Sequence, residues 1–430
     1  MNFSVFNFGC KVNQYESQVM TELMIARGYE YTADREQADI LIINSCTVTA
    51  VSDNKVMKLI RHLRRTKEDA VIVLTGCMPQ AYPNLEKEFE QVDIVLGNSL
   101  RSEIADKIEE FLRNRKQIID VHKYTRNSDF ELVSVSRFEE RTRAFIKIED
   151  GCNRYCSYCI IPYARGPVRS KPLDVLKKEL THLAGAGYKE FVLVGINLSA
   201  YGQELGLHLC DAVECACSID GVERVRLGSL EPERMDRESI ERLSKLDKFC
   251  PQFHLSLQSG CDATLKRMNR HYTSDEYAAI VENLRKVFPN CSITTDIMVG
   301  FAGETEEEFA QSIAFAEKIA FAKAHVFPYS QREGTVAARA EGQIDNSVKV
   351  QRSKKMIEIT DKTRMEFLNS QIGLTEDVLF EQPTADGYWE GYTKNYTPVK
   401  VKSDRPIGGE ILSVAITETD GEYCIGDLCN

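Results

Sequence analysis

No window of the 430-residue chain approaches the ~18 consecutive apolar residues that a membrane-spanning helix requires. Residues 1–10 lack the basic start and long apolar stretch of a secretory signal, which predicts a cytoplasmic protein with no membrane partner. Basic residues are in deficit. With 54 Lys and Arg against 65 Asp and Glu, the formal charge is −11, so bulk electrostatics alone would not hold the chain to nucleic acid. Only 12 Pro and 25 Gly occur, and the 43% apolar and 28% charged fractions exclude a disordered or fibrous chain. The seven His form no paired helical motif, and neither a Walker-type phosphate loop nor a serine-nucleophile elbow is present. Cysteine, by contrast, is abundant. Fourteen cysteines in a cytosolic chain favour metal or redox chemistry over a disulfide framework, because cytosolic thiol buffers keep such pairs reduced.

The length predicts two to four domains. Over residues 1–117, apolar runs at 3–8, 39–44, 71–75 and 93–96 alternate with helical patterns at 15–27, 50–65, 84–89 and 100–112. Such alternation predicts an open parallel sheet with crossover helices. Cys10, Cys46 and Cys77 each follow a predicted strand end by one or two residues. All strand carboxyl ends of such a sheet share one edge, so three cysteines distant in sequence can converge there on one ligand. Residues 118–141 are polar and mixed in charge, as a linker is. Six further runs, at 144–148, 191–195, 225–227, 253–257, 294–299 and 324–327, predict a partial (β/α) barrel over residues 142–370, with its active mouth at the strand carboxyl ends. Its last part, 346–370, reads as a charged helix. Residues 373–430 change to short alternating strands at 376–381, 397–401 and 411–417, with turns at Asp386-Gly387 and Gly408-Gly409, which predicts a small all-β barrel. The fold class is therefore α/β with a C-terminal β module.

The strongest local signal is Gly151-Cys152-Asn153-Arg154-Tyr155-Cys156-Ser157-Tyr158-Cys159, a CxxxCxxC directly after the first barrel strand. Three thiolates on one loop can hold three irons of a 4Fe-4S cluster and leave the fourth open to a ligand. A structural zinc takes four ligands, and no fourth Cys or His lies nearby. This spacing ahead of a parallel barrel resembles the radical S-adenosylmethionine enzymes. The resemblance implies that the open iron chelates the amino and carboxylate groups of S-adenosylmethionine, whose reductive cleavage releases a 5′-deoxyadenosyl radical. It also implies that Tyr158 packs near the adenine, and that Asn197 contacts the methionine amino group although the usual Gly-Gly-Glu is absent. Ser256, Gln258, Gly300 and Phe301, at later strand ends, are expected to hold ribose and adenine, with Glu304 a helix cap. Arg165 and Arg169, just past the loop, are candidates for the cofactor carboxylate, or equally for a phosphate or a surface acid.

With Cys10, Cys46 and Cys77 forming a second three-cysteine site, the chain looks over nearly its whole length like a methylthiotransferase, with an N-terminal cluster domain, a radical barrel and a C-terminal TRAM domain. The resemblance implies two 4Fe-4S clusters and six catalytic cysteines. Cys152, Cys156 and Cys159 hold the cluster that makes the radical, and Cys10, Cys46 and Cys77 hold the one that presents sulfur. An electron donor and a sulfur source are implied without being identified. The alternative for the first trio is plain buried cysteine. Gly9-Cys10-Lys11-Val12-Asn13-Gln14-Tyr15-Glu16-Ser17 resembles the branch acting on threonylcarbamoyladenosine in tRNA, as do Asn44-Ser45-Cys46-Thr47-Val48-Thr49 and Leu227-Gly228-Ser229-Leu230-Glu231-Pro232. The isopentenyladenosine branch typically has Gln-Met-Asn after the first cysteine, and the ribosomal-protein branch Pro-Lys-Asn. These branches are the alternative substrates. A non-catalytic, redox-sensing RNA-binding iron-sulfur protein is the alternative of another class, against which an open iron argues.

Residues 54–67 carry Lys55, Lys58, Arg61, Arg64, Arg65 and Lys67 without an acid, a candidate phosphate track whose bland reading is a solvated helix face. Lys266, Arg267 and Arg270 form a second basic cluster. Residues 373–430 hold four basic and eleven acidic residues, a net −7 for the expected RNA module. Its RNA contacts are expected at Lys394, Asn395 and Tyr396, with Tyr392 and Trp389 nearby, and a basic protein is the alternative partner. The other eight cysteines read as structural.

Overall fold

The computed structural model describes all residues except 83, 126–127, 139–141 and 430. The N-terminal part runs β1 (Asn2–Asn7), α1 (Lys11–Ala26), β2 (Glu30–Tyr31), β3 (Ile40–Ser45), α2 (Ala50–Thr66), β4 (Val71–Gly76), α3 (Cys77–Ala81), α4 (Leu85–Glu88), β5 (Ile94–Leu96), α5 (Ile104–Asn114) and β6 (Ile118–Asp120). The strands form one parallel sheet in the order β2-β1-β3-β4-β5-β6. β3 and β4 are buried throughout because helices cover both faces: Leu41, Ile43, Ile72 and Leu74 enter one core, and Ile40, Ile42, Val71 and Val73 the other. β6 corrects the expected linker, for residues 118–120 extend the sheet. Of the remaining linker residues, 126–127 and 139–141 lie outside the described residues. Phe130, Val135 and Phe138 are buried, and Ser136 N donates to Glu22 on α1 (2.8 Å), so this segment straps α1 down.

The central part contains β7 (Arg143–Lys147), β8 (Glu149–Asp150), α6 (Ile161–Arg165), β9 (Arg169–Ser170), α7 (Leu173–Gly185), β10 (Glu190–Val194), α8 (Leu209–Cys217), β11 (Arg224–Leu227) and β12 (Ser229–Leu230). It continues with α9 (Arg237–Leu243), β13 (Gln252–Leu255), α10 (Asp262–Arg267), α11 (Ser274–Val287), β14 (Ser292–Val299), α12 (Glu306–Ile319), β15 (Lys323–Pro328) and α13 (Asn346–Ser370). Two parallel ladders, β11-β10-β7 and β12-β13-β14-β15, make a partial barrel. β7 and β15 are its two outer edges, and among the described residues they do not pair with each other. α1 packs its Val12, Tyr15 and Val19 into the core that includes Phe145 of β7.

The C-terminal part is a closed barrel of β16 (Thr375–Pro383), β17 (Tyr388–Thr393), β18 (Pro398–Lys402), β19 (Ile411–Thr419) and β20 (Cys424–Leu428), in the order β16-β17-β18-β20-β19. It docks on the amino ends of the central strands, opposite the cysteine loops. Arg143 pairs with Glu381 (2.6 Å), and Arg224 donates to the carbonyls of Tyr392 (2.9 Å) and Asp377 (2.7 Å). This docking corrects the expected RNA contact at residues 394–396. Lys394 Nζ donates to the Asp247 carbonyl (3.0 Å), and Asn395 is buried and donates to the Asn290 carbonyl (2.9 Å). Tyr396 accepts from Arg143 (3.0 Å) and stacks on Tyr392. The fold consumes all three. Among the described residues, no helix is long and apolar enough to cross a membrane.

A buried ion network fixes the N-terminal sheet to the barrel. Glu16 of α1 meets Arg101 (2.6 Å), Lys147 (2.8 Å) and Arg165 (2.6 Å), and Asp150 meets Lys147 (2.6 Å) and Arg165 (3.2 Å). Burial alone would raise the Glu16 carboxyl, but Arg101, Arg165 and Lys147 outweigh it and hold it down at about 2, against an ordinary 4.5. A carboxyl depressed on folding contributes stability that is complete above its unfolded value and lost as pH falls toward its folded one. Glu16→Gln is therefore expected to cost about 3–5 kcal/mol at neutral pH, since three cations lose their shared partner. Its thermal midpoint should also fall less steeply than wild type between about pH 4.5 and pH 2. Thermal denaturation followed by circular dichroism tests both, and midpoints equal to wild type throughout would show that the network adds no net stability.

Candidate active site

Cys10 caps α1 behind β1, Cys46 follows β3, and Cys77 opens α3 directly behind β4. The three strands are neighbours in register, with Asn7 opposite Asn44 and Ser45 opposite Gly76, so their cysteine loops meet at one edge. Gly76 has φ +96°, and a Cβ there would collide with the Ser45 carbonyl. Asn13 ties the loops together: its Nδ2 donates to Asn44 Oδ1 (3.2 Å) and to the Ser45 carbonyl (3.0 Å), and its Oδ1 accepts from Cys10 Sγ (3.4 Å). Burial, then the neighbouring Cys77, pushes the Cys46 thiol up to about 12. Burial also raises Cys77, although Arg165 Nε donates to its Sγ at 3.1 Å. Thiols gathered in this way resist ionisation until a cationic centre joins them, which is the donor chemistry of a metal cluster.

The second trio lies on the loop after β8. Gly151 (φ +93°) turns the chain so tightly that a Cβ would strike the Pro167 carbonyl. Arg154 N donates to Cys152 Sγ (3.5 Å) and Arg270 Nη1 to Cys156 Sγ (3.4 Å), while burial pushes Cys159 up to about 12 and Cys152 higher still. Each trio thus carries one guanidinium on one sulfur, Arg165 on Cys77 and Arg270 on Cys156. Among the described residues, no three His, Cys, Asp or Glu side chains form a group that could hold a single metal ion. α6 starts two residues beyond Cys159 and packs on α3, so Arg165, from the helix that follows the second trio, reaches Cys77 of the first.

Tyr158 meets Phe301 edge to face (6.2 Å), and Phe301 meets Tyr329 (5.1 Å), in an apolar cluster with Met268 and Met298 beside the loop. Gly300 (φ +68°) donates its N–H to Glu304 (2.7 Å), which also pairs with Arg352, so Glu304 does more than cap a helix. Gln258 adopts φ +65° and bridges β14 through backbone bonds to Asp296 and Met298. The Ser256 carbonyl accepts from Arg270 (3.1 Å) and Tyr272 (2.5 Å). Asn197 is buried and donates its N–H to Glu149 Oε2 (2.7 Å). Glu149 Oε1 and Asn197 Oδ1 are both buried without a donor among the described residues. They form a pair of acceptors fit for an ammonium group, such as the methionyl amine of S-adenosylmethionine. Gly195 leaves the room that Glu149 occupies.

Glu149 was not legible in the sequence. An acid three residues before a cysteine motif carries no signal until its partners are seen. The expectation for Arg165 and Arg169 is corrected. Arg165 is fully buried on Glu16, Asp150, Asn13 and Cys77, and Arg169 is spent on Asp150 (3.4 Å), two carbonyls and the Tyr124 ring. Neither guanidinium is left for a cofactor carboxylate. Of the expected phosphate track, Lys55, Lys58, Arg61 and Arg65 are exposed on α2. Arg64 instead pairs with Asp93 (2.6 Å), and Lys67 donates to the carbonyls of Arg35, Glu36 and Ala38. The second basic cluster dissolves in the same way, with Arg270 buried on Glu231 and Arg267 paired with Glu308.

Residues 2–97 match the model of a family described as "Uncharacterized protein family UPF0004", and residues 146–316 match the radical SAM superfamily. The chain is 37% identical to the threonylcarbamoyladenosine tRNA methylthiotransferase MtaB of Bacillus subtilis (strain 168), over 98% of this chain and 94% of that protein. It is 38% identical to the protein of the same name from Thermotoga maritima, over 97% and 95%. The chain belongs to the radical SAM methylthiotransferases. It is an enzyme of that type and uses S-adenosylmethionine with a 4Fe-4S cluster. Another methylthiotransferase relative, at 32% identity over 96% of this chain and 95% of that protein, is the tRNA-2-methylthio-N(6)-dimethylallyladenosine synthase of Pelotomaculum thermopropionicum. Among solved structures, the radical S-adenosylmethionine methyltransferase TsrM from Kitasatospora setae shares the fold with a TM-score of 0.55 at 15% identity, covering 78% of this chain and 77% of that one.

Burial raises the Glu149 carboxyl well above its ordinary range, so its charge would form only with a cation beside it. Glu149→Gln keeps the acceptor for Asn197 N–H while removing that possibility. It is expected to weaken S-adenosylmethionine binding to the cluster-loaded methylthiotransferase roughly 10-fold or more. Equilibrium binding measures this, and wild-type affinity would remove Glu149 from the cofactor site.

Proposed function

We propose that this methylthiotransferase adds a methylthio group to carbon 2 of threonylcarbamoyladenosine at position 37 of tRNA, and that it carries two 4Fe-4S clusters. The observation that carries the two-cluster reading is the bond from Arg165 to Cys77 Sγ (3.1 Å), because Arg165 lies only six residues beyond Cys159. Sulfur held at one trio and a radical made at the other then share one mouth. When bound, the cofactors supply a 5′-deoxyadenosyl radical at Cys152, Cys156 and Cys159 and a methylated sulfur at Cys10, Cys46 and Cys77. On the substrate, the C–H bond of carbon 2 would be replaced by a C–S bond, the hydrogen atom passing to the 5′-deoxyadenosyl radical and the one electron released on C–S bond formation returning to an iron-sulfur cluster.

The chain's own residues position the reactants. Glu149 and Asn197 hold the methionyl amine, Tyr158 and Phe301 bound the adenine, and Gly300 and Gln258 shape the ribose side of the loop edge. Lys55, Lys58, Arg61 and Arg65 face the RNA phosphates from α2, whose amino end begins four residues beyond Cys46. The electron donor and the sulfur source come from outside the chain. The threonylcarbamoyl substrate is favoured over dimethylallyladenosine by Lys11 in the first cysteine motif and by the higher identity to the relatives that bear its name.

Replacing Cys152, Cys156 and Cys159 by Ala is expected to abolish S-adenosylmethionine cleavage, whereas replacing Cys10, Cys46 and Cys77 should stop sulfur transfer and spare cleavage. Loss of both activities in the second variant would reduce the first trio to a structural role. The decisive test is mass spectrometry of nucleosides from total tRNA of cells with and without the protein. Loss of the methylthio form of threonylcarbamoyladenosine, with its precursor accumulating, is the expected result. An unchanged level of that nucleoside would overturn the substrate assignment.

A further inference from the structure

Lys11 is the first residue of α1 and directly follows Cys10. Its side chain extends toward β7, an edge strand of the partial barrel. Its Nζ stands 5.9 Å from the centre of the Phe145 ring on β7, and its charge acts on His325 of the opposite edge strand, β15. Arg143, Arg226 and Glu190 are the other ionic groups around it. These alternate along β7, β11 and β10 on the face that lines the lumen, as strand periodicity requires.

The surrounding groups already have partners. Arg226 Nε donates to Glu190 (2.9 Å), and its Nη1 to the Lys394 carbonyl (3.0 Å). Arg143 is held by Glu381 and Tyr396, and His254 of β13 bonds to Asp296 of β14 (3.3 Å) and to Thr294 (3.0 Å). Lys11 is exposed and makes no hydrogen bond or ion pair with any described residue, and His325, also exposed, meets only the His254 ring. A solvent-facing ammonium held near two guanidinium groups has like charges as neighbours and no acid of its own, and an anion arriving there would meet a free donor.

The two adenosine substituents in the relatives' names differ in this property: a threonylcarbamoyl group ends in a carboxylate, whereas a dimethylallyl group is a hydrocarbon. Resting on the substrate reading above, we propose that Lys11 receives the carboxylate of the threonylcarbamoyl group inside the barrel, and that this contact selects the acidic substituent over the apolar one. The residue beside the first cysteine thereby reads the substrate, while the cysteine itself serves the sulfur chemistry.

The test uses the full-length, cluster-loaded enzyme and anticodon stem-loop RNAs carrying threonylcarbamoyladenosine, its methyl ester or dimethylallyladenosine. Wild type should discriminate against the ester by a factor on the order of 10 to 100, the span of one charge-assisted hydrogen bond. Lys11→Met should raise KM for the acid by a similar factor and treat acid and ester alike, and Lys11→Arg should recover most of the discrimination. Iron content and S-adenosylmethionine affinity of Lys11→Met should match wild type. A loss of either would place Lys11 in the cluster or cofactor machinery and overturn the proposal. So would equal KM values in Lys11→Met and wild type, or a wild type indifferent to esterification. Failure of the substrate reading is seen separately, in a wild type that converts the dimethylallyl RNA and not the threonylcarbamoyl RNA.

Discussion

Glu16 and Arg165 meet at 2.6 Å with both side chains almost wholly removed from solvent, and the geometry of the active mouth depends on that contact. Glu16 belongs to the helix that Cys10 caps, and Arg165 to the helix that follows the CxxxCxxC loop. Between them stand Lys147 at the end of the first barrel strand and Asp150 at the entrance to the cysteine loop. Buried ion pairs are poor sources of stability, because desolvation opposes most of the Coulomb gain. Their strength is specificity: a slipped register would leave charges unpaired in a dry interior, at a cost of several kcal/mol for each ion. The network therefore acts as a key that admits one placement of the sheet on the barrel. That placement puts Arg165 Nε on the sulfur of Cys77. A second clamp at the far side, Arg332 on Asp53 (2.7 Å), secures the start of α2 to the segment after β15.

The opposite end of the barrel is closed by a different use of charge. Arg143 of β7 and Arg224 and Arg226 of β11 lie in the amino-terminal halves of two strands flanking β10, and the acidic C-terminal barrel answers them with Glu381 and with backbone carbonyls of its 392–394 segment. Part of the −7 charge of that module is thus explained by the surface it covers. With that end occupied, the proposed entry of a substrate nucleotide is from the cysteine side, where α2 begins and its exposed cations lie.

How much of this was legible in the sequence followed from the range of the interaction concerned. The cysteine loops were readable because strand ends and crossover helices are local patterns, and a parallel sheet brings its carboxyl ends together whatever the detail. β6 was missed because three residues between polar segments carry too short a pattern, and β17 because Gly391 interrupts its alternation. That glycine is needed where β17 crosses the Leu379 carbonyl too closely for a Cβ. Arg165, Arg169 and the 394–396 turn were misassigned for a common reason. Their partners lie far away in sequence, Glu16 being 149 residues from Arg165, and a basic side chain looks equally available whether or not an acid waits for it in space. Glu149 shows the converse: its significance lies in an acceptor left without a donor, a property that only the assembled structure has.

The first cysteine motif then separates by helical geometry into residues that hold the enzyme together and residues that face its chemistry. Asn13 and Ser17 lock the β1 and β3 loops through Asn44, Glu16 anchors the ion network, and Tyr15 bonds to Glu179 and to the Val133 carbonyl. All four are buried, and any of them could change only with its partners. Lys11 is different. It lies ahead of the first full turn, touches none of those partners, and extends toward β7, an edge strand of the partial barrel. A substitution at this position can alter what the lumen attracts without disturbing how the sheet sits on the barrel or how Cys10 meets its neighbours. A site with that freedom, one peptide bond from an invariant chemical requirement, is where a family sharing one reaction can diverge in substrate at the smallest structural cost.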